Sequence, residues 1–189
     1  MPFQKTDFPG LMVYEPVAFK DERGFFFESY NEKSFLQEGI DLRFIQDNQS
    51  HSKLGVIRGL HYQLNPHAQA KLVRTLAGKI LDIAIDLRRG SPKFGKVFAI
   101  ELSADNKKQL LIPKGFAHGF SVLSETADVL YKCDNFYNRQ SEGGIIFNDR
   151  QLNIDWQLPA YRVVVSSKDL LLPTFADCKN NFEFEGHAD

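Results

Sequence analysis

Ile80-Leu81-Asp82-Ile83-Ala84-Ile85-Asp86-Leu87 carries the clearest periodicity in the chain. Leu81, Ile83, Ile85 and Leu87 fall on one side of an extended backbone; Asp82, Ala84 and Asp86 fall on the other. Successive strand side chains point to opposite faces, so period-two alternation marks a β-strand. Strands of this kind build antiparallel sheets with one apolar face.

Working outward, Lys71–Leu76, Val97–Leu102 and Asp128–Asp134 repeat the β pattern, and Gln109–Ile112 is a strand ended by Pro113. Leu54–Gln63 alternates too, but Arg58, His61 and Gln63 do not share parity. Gly59 is therefore expected to mark a bulge that re-aims His61. In Lys114–Phe120 two glycines bracket His118 before β structure resumes at Ser121. Asp21-Glu22-Arg23-Gly24, Ala77-Gly78-Lys79 and Asp105-Asn106-Lys107 have turn chemistry.

Towards the N-terminus, Leu11–Phe19 reads as a strand interrupted at Pro16, and Phe25–Tyr30 as another. The Phe25–Phe27 rings suit core and inter-subunit packing; Arg23 and Glu28 flank them as a surface ion pair or as ligand contacts. Asn31–Gly39 is the clearest helix, with Asn31 to cap it and Gly39 to stop it. Phe44–Ser52 turns polar and reads as a solvated loop; if it is extended, Gln46 and Asn48 share a face. Residues 140–155 read as irregular, and the tail from about 175 to 189 as a short helix or loose chain. About ten short strands with little helix indicate an antiparallel sandwich or barrel. Residues 1–189 read as one domain, without repeats or a low-complexity linker.

Composition narrows the function. The chain has 189 residues, a net charge of −1 and 23 scattered Lys+Arg, so no nucleic-acid partner is implied. Two cysteines, Cys133 and Cys178, form neither a CxxC motif nor a disulfide framework, which fits a reducing compartment. There is no apolar leader at the N-terminus and no run long enough to span a membrane, so a cytoplasmic protein is expected. The 17 Phe and 6 Tyr against one Trp favour a β-rich fold.

Arg58-Gly59-Leu60-His61-Tyr62-Gln63, followed by Lys71, concentrates a base and two cations. Metal ligation by a strand histidine pair needs His-x-His; here the second position is Gln63, which argues against a metal site. Metal-free proton transfer needs a base, a group to orient it, a second acid and a cation for developing charge. His61 suits the base, and Asp82, Asp86, Asp128 or Asp169 could orient its ring. Lys71 suits an enolate oxygen, and Tyr131 suits proton delivery. Taken alone, a histidine or a strand tyrosine is more often structural and a lysine more often solvated, and spacing does not bring them together.

Several runs together resemble the dTDP-4-dehydrorhamnose 3,5-epimerase family, in order from about residue 10 to about 175. They are Asp21–Phe26 with Glu28, Gln46–Asn48, Gly55–Gln63, Gln69–Arg74, Gly90–Pro92, Pro113–Phe120, Tyr131–Cys133 and Asn153–Trp156. The resemblance implies a mainly β, cupin-like jelly roll with a few short helices. It implies His61 as catalytic base oriented by Asp169, Tyr131 as proton donor and Lys71 at the enolate oxygen. Arg23, Glu28, Gln46, Asn48, Arg58, His118, Glu142 and Lys168 match positions that hold the nucleotide-sugar. Phe19 and Tyr137 match rings that meet the thymine or line the site. Ser167 stands where many relatives have an acid, while Asp169 is retained.

The implied substrate is a dTDP-linked 4-keto-6-deoxyhexose, inverted at C3 and C5 with no metal and no other cofactor. The implied assembly is a homodimer in which N-terminal strands, within about residues 1–30, engage the partner. A single-site epimerase and a 3,4-ketoisomerase share these motifs. A metal-dependent cupin and a sugar-binding jelly roll are the more distant alternatives.

Overall fold

The computed structural model describes residues 2–186; His187, in the C-terminal tail, lies outside them. The strands are β1 (Phe3–Lys5), β2 (Met12–Tyr14), β3 (Phe19–Asp21), β4 (Gly24–Phe26), β5 (Gln46–Lys53), β6 (Ile57–Gln63) and β7 (Lys71–Ala77). They continue as β8 (Lys79–Asp86), β9 (Val97–Ser103), β10 (Gln109–Ile112), β11 (Phe116–Val122), β12 (Thr126–Cys133) and β13 (Glu142–Gly144). A six-stranded sheet runs β1-β2-β10-β7-β12-β5, and a five-stranded sheet runs β13-β6-β11-β8-β9. Every pairing within both sheets is antiparallel. The result is the cupin-like jelly-roll sandwich that the resemblance implies. The helix α1 (Glu32–Gln37) begins where expected, with the Asn31 side chain accepting from Lys33 N–H and Ser34 N–H.

The opening strand behaves differently from its pattern. Both faces of β8 are buried. Leu81, Ile83, Ile85 and Leu87 do not face the opposite sheet. They pack outward into a core covered by the C-terminal half, including Ile145, Trp156 and Phe182. Ile80 and Ala84 face inward to the core between the sheets, with Val73, Phe120 and Val129. Asp82 and Asp86 are therefore sequestered rather than solvated. Each is engaged by a neighbour. Asp86 accepts from Arg88 Nε at 2.9 Å and from Ser91 Oγ at 2.6 Å, and Asp82 binds a histidine. A buried carboxylate without such partners would not stay ionised.

The loop expected at Phe44–Ser52 is also corrected. Gln46–Lys53 is β5, paired along its length with β12. It is the edge of its sheet and carries only polar and charged residues, so it has no apolar alternation to read. Polar edges of this kind discourage pairing with other chains. The run Phe116–Phe120 belongs to a single buried strand, β11, and the Phe25–Tyr30 strand shortens to β4, the second arm of an exposed hairpin with β3.

Candidate active site

A cavity of ≈ 520 Å³ opens between the sheets. Arg58, His61, His118 and Phe120 line it from the five-stranded sheet, and Asn48, Lys71, Tyr131 and Cys133 from the six-stranded sheet. The segment from Val164 to Asp169 forms part of its rim.

Arg58 and His61 are three residues apart, yet both line the cavity, which an unbroken strand does not permit. The register explains it. His61 faces His118 and Arg58 faces Phe120, so β6 holds one residue more than β11 in this interval. The bulge expected at Gly59 is present, with φ at +121°. A Cβ there would lie 2.6 Å from Gly119 Cα and 2.8 Å from the His118 carbonyl oxygen. Only glycine lets the two strands approach this closely.

His61 Nε2 bonds Asp169 Oδ1 at 2.8 Å across 108 positions of sequence. Asp169 is buried and held in turn: its N–H donates to Ser166 Oγ at 3.0 Å, and its Oδ2 accepts from Gly59 N–H at 3.5 Å. The bond occupies one ring nitrogen and leaves the other to accept a proton. Burial pushes His61 below its ordinary pKa; Asp169 opposes the shift and Lys71's charge adds to it. The imidazole is thus neutral at physiological pH, as a base must be.

Tyr131 stands on the opposite sheet. Its hydroxyl bonds Ser50 Oγ at 3.1 Å, and burial pushes its pKa well up, so it is a protonated donor. Burial lowers the Lys71 ammonium, opposed by the charges of Cys133 and Asp82. His118, nearly fully buried, pairs with Asp82 at 2.7 Å, and its ring centroid lies 6.0 Å from that of Tyr131. At the mouth, Lys168 Nζ bonds both Glu142 oxygens at 2.7 and 2.8 Å, and Tyr137 Oη donates to Glu142 at 3.1 Å. Burial raises Glu142, but the bonds from Lys168 and Tyr137 outweigh it and hold the carboxyl below its usual range. Gln46 accepts from Tyr137 N–H at 3.1 Å and donates to Asn48, which lines the cavity, at 3.0 Å. Arg58 Nε donates to Ser52 Oγ at 2.9 Å.

The remaining expected residues do not join this cavity within one chain. Phe19 and Arg23 sit on the exposed β3–β4 hairpin, and Glu28 is exposed just beyond it. Arg23 forms no ion pair with Glu28; it pairs with Asp21 on its own hairpin. Among the four carboxylates open to His61, Asp169 takes the role and Asp82 serves His118 instead. Gln69, Cys133 and Ser166 also line the cavity and escaped notice as site residues. The i, i+2 spacing of Tyr131 and Cys133 was the signal for one of them. Among the described residues, no group of three or more His, Cys, Asp or Glu is placed to hold a metal ion.

The family model described as dTDP-4-dehydrorhamnose 3,5-epimerase matches residues 5–177. The chain belongs to this family. The dTDP-4-dehydrorhamnose 3,5-epimerase of Shigella flexneri is 50% identical over 174 residues, covering 92% of this chain and 95% of that protein. The crystal structure of the Elizabethkingia anophelis 3,5-epimerase matches with a TM-score of 0.89 and 53% identity, covering 95% of this chain and 98% of that one. The Legionella pneumophila 3,5-epimerase, solved in complex with dTDP-4-keto-L-rhamnose, matches with a TM-score of 0.88 and 47% identity over 93% of each chain. Among the described residues of this 3,5-epimerase family member, no helix is long and apolar enough to cross a membrane.

Proposed function

We propose that this chain inverts C3 and C5 of dTDP-4-dehydro-6-deoxy-D-glucose to give dTDP-4-dehydro-L-rhamnose, a step of dTDP-L-rhamnose biosynthesis. The observation that carries the reading is the placement of base and acid on facing sheets. His61, backed by Asp169, looks into the cavity from β6, and protonated Tyr131 looks in from β12. Inverting a carbon requires removing a proton from one face and returning one to the other. A 4-keto group acidifies the hydrogens on both neighbouring carbons, so one base–acid pair can serve both.

The steps follow from the residues. Neutral His61 takes the proton next to the ketone, and Asp169 stabilises the imidazolium that forms. Lys71 offsets the charge that develops on the ketone oxygen. Tyr131 then protonates the opposite face. Arg58 and Lys168 offer cations for the diphosphate, and bidentate arginine suits phosphate geometry. Gln46, Asn48, His118, Tyr137 and Glu142 complete the nucleotide-sugar contacts. The exposed rings Phe19 and Phe26, 65% and 72% accessible, support a homodimer in which the β3–β4 hairpin crosses to the partner's cavity and brings Phe19, Arg23 and Glu28 to it. A cytoplasmic location accords with two free cysteines and a nucleotide-sugar substrate.

The test supplies the 4-keto nucleotide-sugar in deuterated water and reads the product. Deuterium at both C3 and C5 is the expected result. Deuterium at one carbon would replace this reading by a single-site epimerase, and deuterium at neither would overturn it.

A further inference from the structure

Among the described residues, one buried side-chain polar atom lacks a hydrogen-bond partner: Asp82 Oδ2. Asp82 has no exposed surface, and its Oδ1 is held by His118 at 2.7 Å. An ionised oxygen in that position is costly unless a donor or cation reaches it. Asp82 projects from β8 into the space between the sheets, and several ionisable groups face that space. His118 comes from β11, His61 from β6, Tyr131 and Cys133 from β12, and Lys71 from β7. Of these, His118 is engaged already, and Tyr131 has Ser50. The Lys71 ammonium group makes no hydrogen bond or ion pair among the described residues, while the charges of Asp82 and Cys133 act on it. A carboxylate oxygen without a donor and an ammonium group without an acceptor thus occupy one interior, on facing sheets.

We propose that Asp82 is the positioning residue for Lys71, its free Oδ2 anchoring the lysine's ammonium group until the substrate's ketone oxygen draws it away. The His118 bond engages Oδ1 and leaves the buried Oδ2 free. The anchor also keeps the amine protonated in a chamber whose dryness favours its neutral form. Lys71 then meets the ketone as a cation, which is the form that stabilises an enolate. This assignment rests on the epimerase reading for its role in turnover, but the proposed pairing of Asp82 with Lys71 does not.

The experiment compares the native protein with Asp82→Asn, an isosteric change that can keep the His118 bond and removes the charge. Titrating isotope-labelled Lys71 by NMR, with nothing bound, should give a midpoint at lower pH in the variant. In turnover, kcat should fall by up to about 10²–10³-fold, the loss seen for one oxyanion donor. KM should hold, and the alkaline limb of the pH profile should move to lower pH. An unmoved Lys71 midpoint overturns the proposal whatever the enzyme's substrate proves to be. Should Asp82→Asn not fold, a second pair of variants decides. Lys71→Met should lower the thermal midpoint by stranding a buried carboxylate, and adding Asp82→Asn to it should restore the midpoint. Two changes that simply add their losses would overturn the assignment.

Discussion

Gly59→Ala perturbs the site through a single methyl group. Its cost has two parts. A residue with a Cβ held at φ +121° carries about 1–3 kcal/mol of backbone strain. The added carbon would also sit 2.6 Å from Gly119 Cα, so β6 and β11 must separate, and forced overpacking costs about 1–3 kcal/mol more. Gly24 supplies the control, with φ at +125° and nothing within 4 Å of a built Cβ. Gly24→Ala should show the strain alone. For a chain of this size each kcal/mol moves the thermal midpoint by roughly 2–4 °C. Gly59→Ala should then melt roughly 4–24 °C below the native protein, and Gly24→Ala roughly 2–12 °C below. Activity adds a second signature. Gly59 N–H donates to Asp169, and β11 carries His118 opposite His61. A strand shift of about 1 Å here should lower turnover by about 10²-fold even well below the melting range. Thermal unfolding by circular dichroism and deuterium incorporation into product measure the two effects. A Gly59→Ala protein that melts with Gly24→Ala and turns over normally would refute the link between the strand approach and the aim of His61.

Asp169→Asn should cut turnover by about 10²–10⁴-fold. Because Asp169 raises the His61 pKa against burial, its loss should move the acidic limb of kcat/KM to still lower pH; a limb that moves up contradicts the assignment. His61 loses its proton-accepting form as pH falls, so in the native enzyme that limb should lie below the ordinary histidine value of about 6.5. Tyr131→Phe should uncouple exchange from inversion: substrate still gains deuterium by mass spectrometry while epimerised product falls, and unchanged product would remove Tyr131 from its role. Phe182→Ala should destabilise the fold by about 3–5 kcal/mol in denaturant unfolding with little change in kcat. That side chain is 3% exposed and packs edge-on to Tyr62 in the outer core. A neutral result would mean the C-terminal cover adds little.

The sequence made the strands legible wherever one face was apolar. β7, β8, β9, β10 and β12 fall close to their expected bounds, because alternation survives burial. β5 was lost because an edge strand of polar residues offers no contrast between faces. The inward aspartates of β8 were misassigned for a related reason. Period two separates two faces but does not say which is wet, and partners such as His118 and Arg88 make a polar face buriable. The bulge at Gly59 was readable because Arg58 and His61 differ in parity. The His61–Asp169 bond was beyond any spacing rule, since its members are 108 residues apart. Phe19, Arg23 and Glu28 entered through resemblance alone, and one chain does not carry them to the cavity.

The two occupied faces of β8 make the strand intolerant to frame. Inserting one residue after Lys79 would exchange the faces, thrusting leucine and isoleucine into the reaction chamber and aspartate under the C-terminal cover. Inserting two would restore the parity and spare the arrangement in part. A scan of single substitutions along the strand should therefore beat with the same period: every second position should report on the packing of the outer core, and Asp82 on the other face should report on chemistry.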